Sequence, residues 1–253
     1  MINLLSRIRA ALLEGIYRQG DEFMISLGPD NQTSDIVFVH KPVQRGDVFA
    51  AFSVNRHRTV PGELSQLKAD LKYLRVTGEW EEMLDLAAKA FADSHDISQY
   101  SAVITMHPPG GTVPPLACNL LTSLEPYLAP GTRVLRHGFA KSSLDAVHVD
   151  DEAIERRAPA GYTAGQIATL RAKVNANFAS AMKRAKTDGR FRVQNIIPQF
   201  RKFISGMVQS NATGLHGRVL FVDDYHTTGS TFTQVKASLP DGVQADCFVL
   251  LTA

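Results

Sequence analysis

The sequence predicts an α/β fold, a Rossmann-like parallel sheet flanked by helices, with a smaller α+β region ahead of it. Three observations predict it. Val219 to Val222 form a short continuous apolar run bounded by polar residues, the pattern of a strand buried on both faces. Ala102 to Met106 and Ala245 to Leu251 repeat that pattern. The first two runs are each followed by a glycine-bearing turn and then by helical spacing, so the order is strand, loop, helix twice over. The expected division is residues 1–99 for the N-terminal region and 100–253 for the core.

In chain order, Leu5, Ile8, Leu12, Leu13 and Ile16 fall on one stripe and predict an amphipathic helix over residues 2 to 18. Apolar runs at Phe23 to Leu27 and Ile36 to Val39 flank the turn cluster Gly28-Pro29-Asp30-Asn31, and Val48 to Val54 adds a third strand, giving a small antiparallel sheet. Leu64, Leu67, Leu71 and Leu74 mark a helix after Pro61, with the basic patch Asn55 to Arg58 before it. Trp80, Met83, Leu84, Ala87 and Phe91 mark the next helix. Beyond the strand at Ala102, residues 107 to 112 form a loop and about 113 to 124 a helix. Arg133 to Phe139 read as the second core strand. The polar stretch from there to Gly161 reads as a mobile lid facing water.

Thr163-Ala164-Gly165-Gln166 fits a capping box and opens a helix lined by Ile167, Leu170, Val174, Phe178, Met182 and Ala185. Phe200, Phe203, Ile204, Met207 and Val208 predict one more helix after Pro198. The last elements are a helix lined by Phe232, Val235 and Leu239 and the strand Ala245 to Leu251.

Composition narrows the function classes. The formal charge of +2 over 253 residues implies no obligatory polyanion partner. Two cysteines, Cys118 and Cys247, exclude a zinc ribbon and a disulfide scaffold. No apolar run is long enough to cross a bilayer and the N-terminus lacks a signal-peptide pattern, so the expectation is a soluble cytoplasmic protein without a membrane partner. Residues 171 to 202 carry nine Lys and Arg against Asp188 alone, a local field suited to nucleic acid, although solvated helix faces are the commoner source of such a cluster.

The chemistry concentrates at Arg218 to Phe232. Two acids follow the buried strand, and Thr227 to Thr231 then supply hydroxyls, a glycine and backbone N–H groups at a helix start. Such a start suits a phosphate, and adjacent carboxylates suit ribose hydroxyls or a hydrated Mg²⁺. Four apolar residues, Asp223-Asp224, two variable residues and Thr227-Thr228-Gly229-Ser230-Thr231 resemble the PRPP-binding motif of type I phosphoribosyltransferases. Tyr225 and His226 stand where that family is usually aliphatic.

The resemblance covers about residues 100 to 253 and is strong at 218 to 232. It implies a type I core with an N-terminal hood, and PRPP and Mg²⁺ as ligand and cofactor. Asp223 and Asp224 would hold the ribose hydroxyls and the metal, and Thr227, Thr228, Gly229, Ser230 and Thr231 the 5′-phosphate. By position, His107, Gly110, Gly111 and Thr112 would form the pyrophosphate loop, which lacks the Arg or Lys often found there. Lys141, with Arg136 behind it, is the expected cation toward pyrophosphate, and Tyr225 and His226 are the expected acceptor contacts. Thr227 occupies the place of the Asp that assists purines in hypoxanthine-guanine enzymes, which disfavours purine salvage.

The residues 163 to 177 faintly resemble the matching segment of ComF-like members. The expected activity is transfer of a 5-phosphoribosyl group from PRPP, or a related ribose phosphate, to an acceptor, with release of pyrophosphate. The alternative is a phosphoribosyltransferase-fold regulator or effector acting through nucleic acid or a protein partner. A homo-oligomer is also among the expected assemblies.

Overall fold

The computed structural model describes residues 16–19, 22–25, 36–54, 78–106, 116–188, 191, 195–226 and 229–252. The chain divides into two compact units. The first comprises residues 1–138, 212–228 and 240–253, and the second residues 139–211 and 229–239.

The first unit is built on a mixed sheet. Its strands are β1 (Ile16–Gln19), β2 (Glu22–Ile25), β3 (Ile36–Arg45), β4 (Val48–Val54), β5 (Tyr100–Met106), β6 (Arg133–Lys141, its first six residues), β10 (Arg218–His226) and β11 (Gln244–Thr252). They lie in the order β1-β2-β3-β4-β11-β10-β5-β6. β1 to β4 pair antiparallel, whereas β4, β11, β10 and β5 pair parallel. Strands from either side of residue 99 therefore share one sheet.

Two helices, α1 (Glu79–Ser94) and α2 (Leu116–Leu124), cover one face of it. The spacing of Trp80, Met83, Leu84, Ala87 and Phe91 puts all five on one side of α1, and all are buried. Phe91 stacks on Phe248 of β11 with ring centroids 4.5 Å apart. Removing a buried ring of this kind costs about 3–5 kcal/mol.

The parallel strands are tied together at their amino ends. Arg218 at the start of β10 donates to both carboxylate oxygens of Asp246 in β11, at 2.7 and 3.0 Å. The hydroxyl of Tyr100, the first residue of β5, donates to the same carboxylate at 2.8 Å. One buried acid thus fixes the register of three neighbouring strands. Burial, and next the bond to Asp246, raise the Tyr100 pKa above the ordinary tyrosine value.

The second unit holds α3 (Asp151–Arg157), α4 (Ala164–Asp188), α5 (Ser230–Ala237), β7 (His148–Val149), β8 (Ile204–Ser205) and β9 (Val208–Ser210). Phe139 to Lys141 of β6 pair antiparallel with β9, and β7 pairs antiparallel with β8. Val147, Ile154, Val174, Ala181, Phe200 and Phe203 form its core. The capping box is present as read: Thr163 N donates to Gln166 Oε1 at 2.8 Å, and Gln166 N donates to Thr163 Oγ1 at 3.3 Å. In α5, the buried Gln234 amide donates to the Ile204 carbonyl of β8 at 2.7 Å.

Three expectations are corrected. Ile16 begins a strand, so the helix read over residues 2 to 18 does not extend to its expected end; residues 1 to 15 lie outside the described residues, as do the expected helix at 64 to 74 and the patch at 55 to 58. The segment 142 to 160 is structured rather than a loose lid. Asp150 caps α3 by accepting from Ala153 N at 2.8 Å, worth about 1 kcal/mol, and Ser205 Oγ donates to its other oxygen at 3.1 Å. Val147 and Ile154 anchor this segment in the core while Asp145, Asp151, Glu152 and Glu155 face water, as expected. Finally, residues 198 to 208 form a 3₁₀ turn (Pro198–Phe203) followed by β8 and the start of β9, not a helix. Gly206, at φ 73°, breaks the helical path, and a Cβ there would collide with the Ala146 carbonyl.

Candidate functional site

From β5 the chain continues through α2 to β6, on one side. From β10 it continues through α5 to β11, on the other. β5 and β10 are neighbours, so the strand order reverses between them. The crevice at the carboxyl ends of such a pair is where open α/β sheets bind ligands.

Asp223 and Asp224 stand at this place. The β10–β5 register ends at Val222–Thr105, while β10 runs on beside β11, with Asp223 opposite Val249, Tyr225 opposite Leu251 and His226 opposite Thr252. The sequence placed the acids at the carboxyl end of the strand; the structure has them there, with the strand running on to His226 beside β11. Both are half-buried, and Asp224 N donates to Asp223 Oδ1 at 3.0 Å.

The two residues after the acids differ in role. Tyr225 packs against the apolar cluster that α1 and α2 make with the sheet. His226 is half-buried, and burial, with the Arg45 charge second, holds its pKa below the ordinary histidine value. These surroundings disfavour the imidazolium, and a neutral ring offers one donor and one acceptor.

Thr227 and Thr228 lie outside the described residues, as do His107, Gly110, Gly111 and Thr112. After the gap, Gly229 is the N-cap of α5 in the left-handed region, at φ 70°, and brings no side-chain oxygen to the first turn. Ser230 and Thr231 open that helix, Thr231 exposed. Lys141 belongs to the second unit, exposed at the end of β6 opposite Val208. Arg136 does not back it. Its guanidinium pairs with Glu125 and donates to Thr122 Oγ1 at 3.2 Å, which ties it to the end of α2.

Sequence reasoning missed the edge beside β5. His137 has φ 71°, a left-handed conformation uncommon for a residue other than glycine, and its N–H donates to the buried Thr105 Oγ1 at 3.1 Å. At the next residue, a Cβ on Gly138 would lie 2.5 Å from the Ile104 side chain. A glycine inside a strand pattern was the available signal for this distortion. Thr105 is the β5 residue paired with Val222, so the distortion in β6 lies one strand away from the point where the β10–β5 register ends.

Among the described residues no group of three or more His, Cys, Asp or Glu is arranged to hold a metal. A Mg²⁺ that arrives with a phosphorylated ligand needs only one or two carboxylates from the protein, and Asp223 and Asp224 meet that requirement. No helix among the described residues is long and apolar enough to cross a membrane. Compared with family models, characterised proteins and solved structures, the chain matches none.

Proposed function

We propose that the protein is a Mg²⁺-dependent phosphoribosyltransferase that binds PRPP, or a closely related ribose phosphate, at the carboxyl end of β10 and transfers the phosphoribosyl group to an acceptor. The observation that carries this reading is the coincidence of the Asp223-Asp224 pair with the point where strand order reverses. The residues Thr227 to Thr231, which continue the motif into the start of α5, support it.

On this reading Asp223 and Asp224 accept hydrogen bonds from the ribose 2′- and 3′-hydroxyls. Neighbouring residues on a strand face opposite ways, so the two carboxylates position the sugar and do not act as one proton-transfer pair. Backbone N–H groups and hydroxyls of residues 227 to 231 hold the 5′-phosphate. Asp223 and Asp224 would hold the Mg²⁺ that accompanies the ligand, and that ion would supply charge neutralisation to the pyrophosphate. His226, whose burial disfavours the imidazolium, is suited to hydrogen-bond an acceptor. Most of the rate gain comes from alignment and preorganised charge.

Calorimetric titration of PRPP, with and without Mg²⁺, tests this in the wild type and in Asp223→Asn/Asp224→Asn. Mg²⁺-dependent binding that weakens about thirtyfold or more in a folded double variant is the expected result. Undiminished binding in that variant overturns the site, and no binding by the wild type overturns the function.

A further inference from the structure

The net charge of +2 conceals a separation. The second unit carries thirteen Lys and Arg against six Asp and Glu, a net of +7, which leaves −5 on the first. Five of those six acids lie between residues 145 and 155, and three of them are in ion pairs: Arg171 with Asp151 and Glu155 at 2.8 and 2.9 Å, and Arg156 with Glu152 at 3.5 Å. The later part of the unit has many cations and one acid, Asp188.

α4 concentrates this charge on one side. Its inner face is apolar, with Val174, Ala181 and Ala185 buried. Lys173, Lys183, Arg184 and Lys186 are all exposed, and none makes an ion pair among the described residues. Between the first two, Ala176, Ala179 and Ser180 are exposed too, and their small side chains let a large partner approach the helix closely. Asp188, the last residue of α4, is the one acid on the helix, so acid–base neighbours four residues apart are confined to its final turn.

We infer that the outer face of α4 is a docking surface for duplex DNA, held through its phosphate backbone without reading bases. Charge complementarity argues for a polyanion. Lys173 to Lys186 span roughly 20 Å of helix axis, over which a duplex presents about a dozen phosphates. The lack of aromatics argues for a duplex over a single strand, because single-strand surfaces stack bases on exposed rings. Phe178 of α4 packs inward near Phe191, and the exposed Tyr162 precedes the helix, at the end away from the cations. The inference does not rest on the phosphoribosyl reading.

Fluorescence anisotropy with a 30-base-pair duplex of mixed sequence and the full chain provides the test. The expected result is binding whose log K falls linearly with log salt. In Lys183→Gln/Arg184→Gln/Lys186→Gln the slope should flatten by about 2.7, at 0.9 per phosphate contact, with at least a tenfold loss of affinity near 0.1 M salt. The charge-keeping Lys183→Arg/Lys186→Arg should bind within twofold of wild type, as should Lys89→Gln, which alters the first unit. Absent or salt-independent binding overturns the proposal, as does unchanged binding by the triple variant or tighter binding to a single-stranded RNA of equal length.

Discussion

The two ends of the parallel strands use acids in opposite ways. At the amino end Asp246 is buried and saturated by the Arg218 guanidinium and the Tyr100 hydroxyl. At the carboxyl end Asp223 and Asp224 are half-buried, on a stretch of β10 that has outrun its register with β5. An acid held by three charge-assisted or buried hydrogen bonds organises the fold. On the proposed reading, the acids at the reversal of strand order meet a ligand instead. Sheet position, more than residue type, separates the two roles.

Substitutions at each end sharpen the contrast. The largest effect is expected for Asp246→Ala, which strands two donors at the strand starts. It should destabilise folding by roughly 3 kcal/mol in urea denaturation, moderated because Arg218 is partly exposed. At the other end Asp223→Asn/Asp224→Asn should weaken PRPP by about 2 kcal/mol or more, some thirtyfold, while unfolding free energy stays within about 1 kcal/mol of wild type. A double variant that unfolds instead would break the contrast.

Tyr100→Phe should cost about 1 kcal/mol and change the alkaline limb. Because folding raises the Tyr100 pKa, its contribution is intact below pH 10, the unfolded value, and is lost as pH rises above it. The phenylalanine variant should lose that part of the slope. The smallest effect belongs to His226→Gln. Folding lowers the His226 pKa, so stability is present above about pH 6.5, the unfolded value, and is lost as pH falls below it. Acid titration of the variant should show a slightly shallower decline.

What was legible in the sequence was local. The capping box needs only residues 163 to 166, and both bonds are there. β5, β10, β11 and α5 announced themselves as apolar runs and helical spacing beside turn residues. Contacts between distant residues left no such trace. The Tyr100–Asp246 bond joins positions 146 apart, and nothing around either residue distinguishes it from a solvated polar side chain. Gln234 similarly looks like an outer helix residue until Ile204 lies beneath it. The stretch 198 to 208 misleads because Phe200, Phe203, Ile204 and Met207 have true helical spacing. Their path is decided by Gly206 and its approach to Ala146, sixty residues earlier. The position of the two acids at the end of β10 is readable because the apolar run before them is local, whereas the distortion at His137 depends on its neighbour Thr105 in another strand.

The pairing of β4 with β11 has a consequence for how the molecule is made. Residues 48–54 leave the ribosome long before residues 244–252, yet they are parallel neighbours in the sheet. Until β11 emerges, the nascent β4 has β3 on one side and an unfilled hydrogen-bonding edge on the other. Closing so wide a loop is slow, and an open apolar edge is the kind of surface on which nascent chains associate wrongly. Protection of that edge during synthesis therefore falls to whatever holds the growing chain, and the final yield of folded protein depends on the time taken to reach β11.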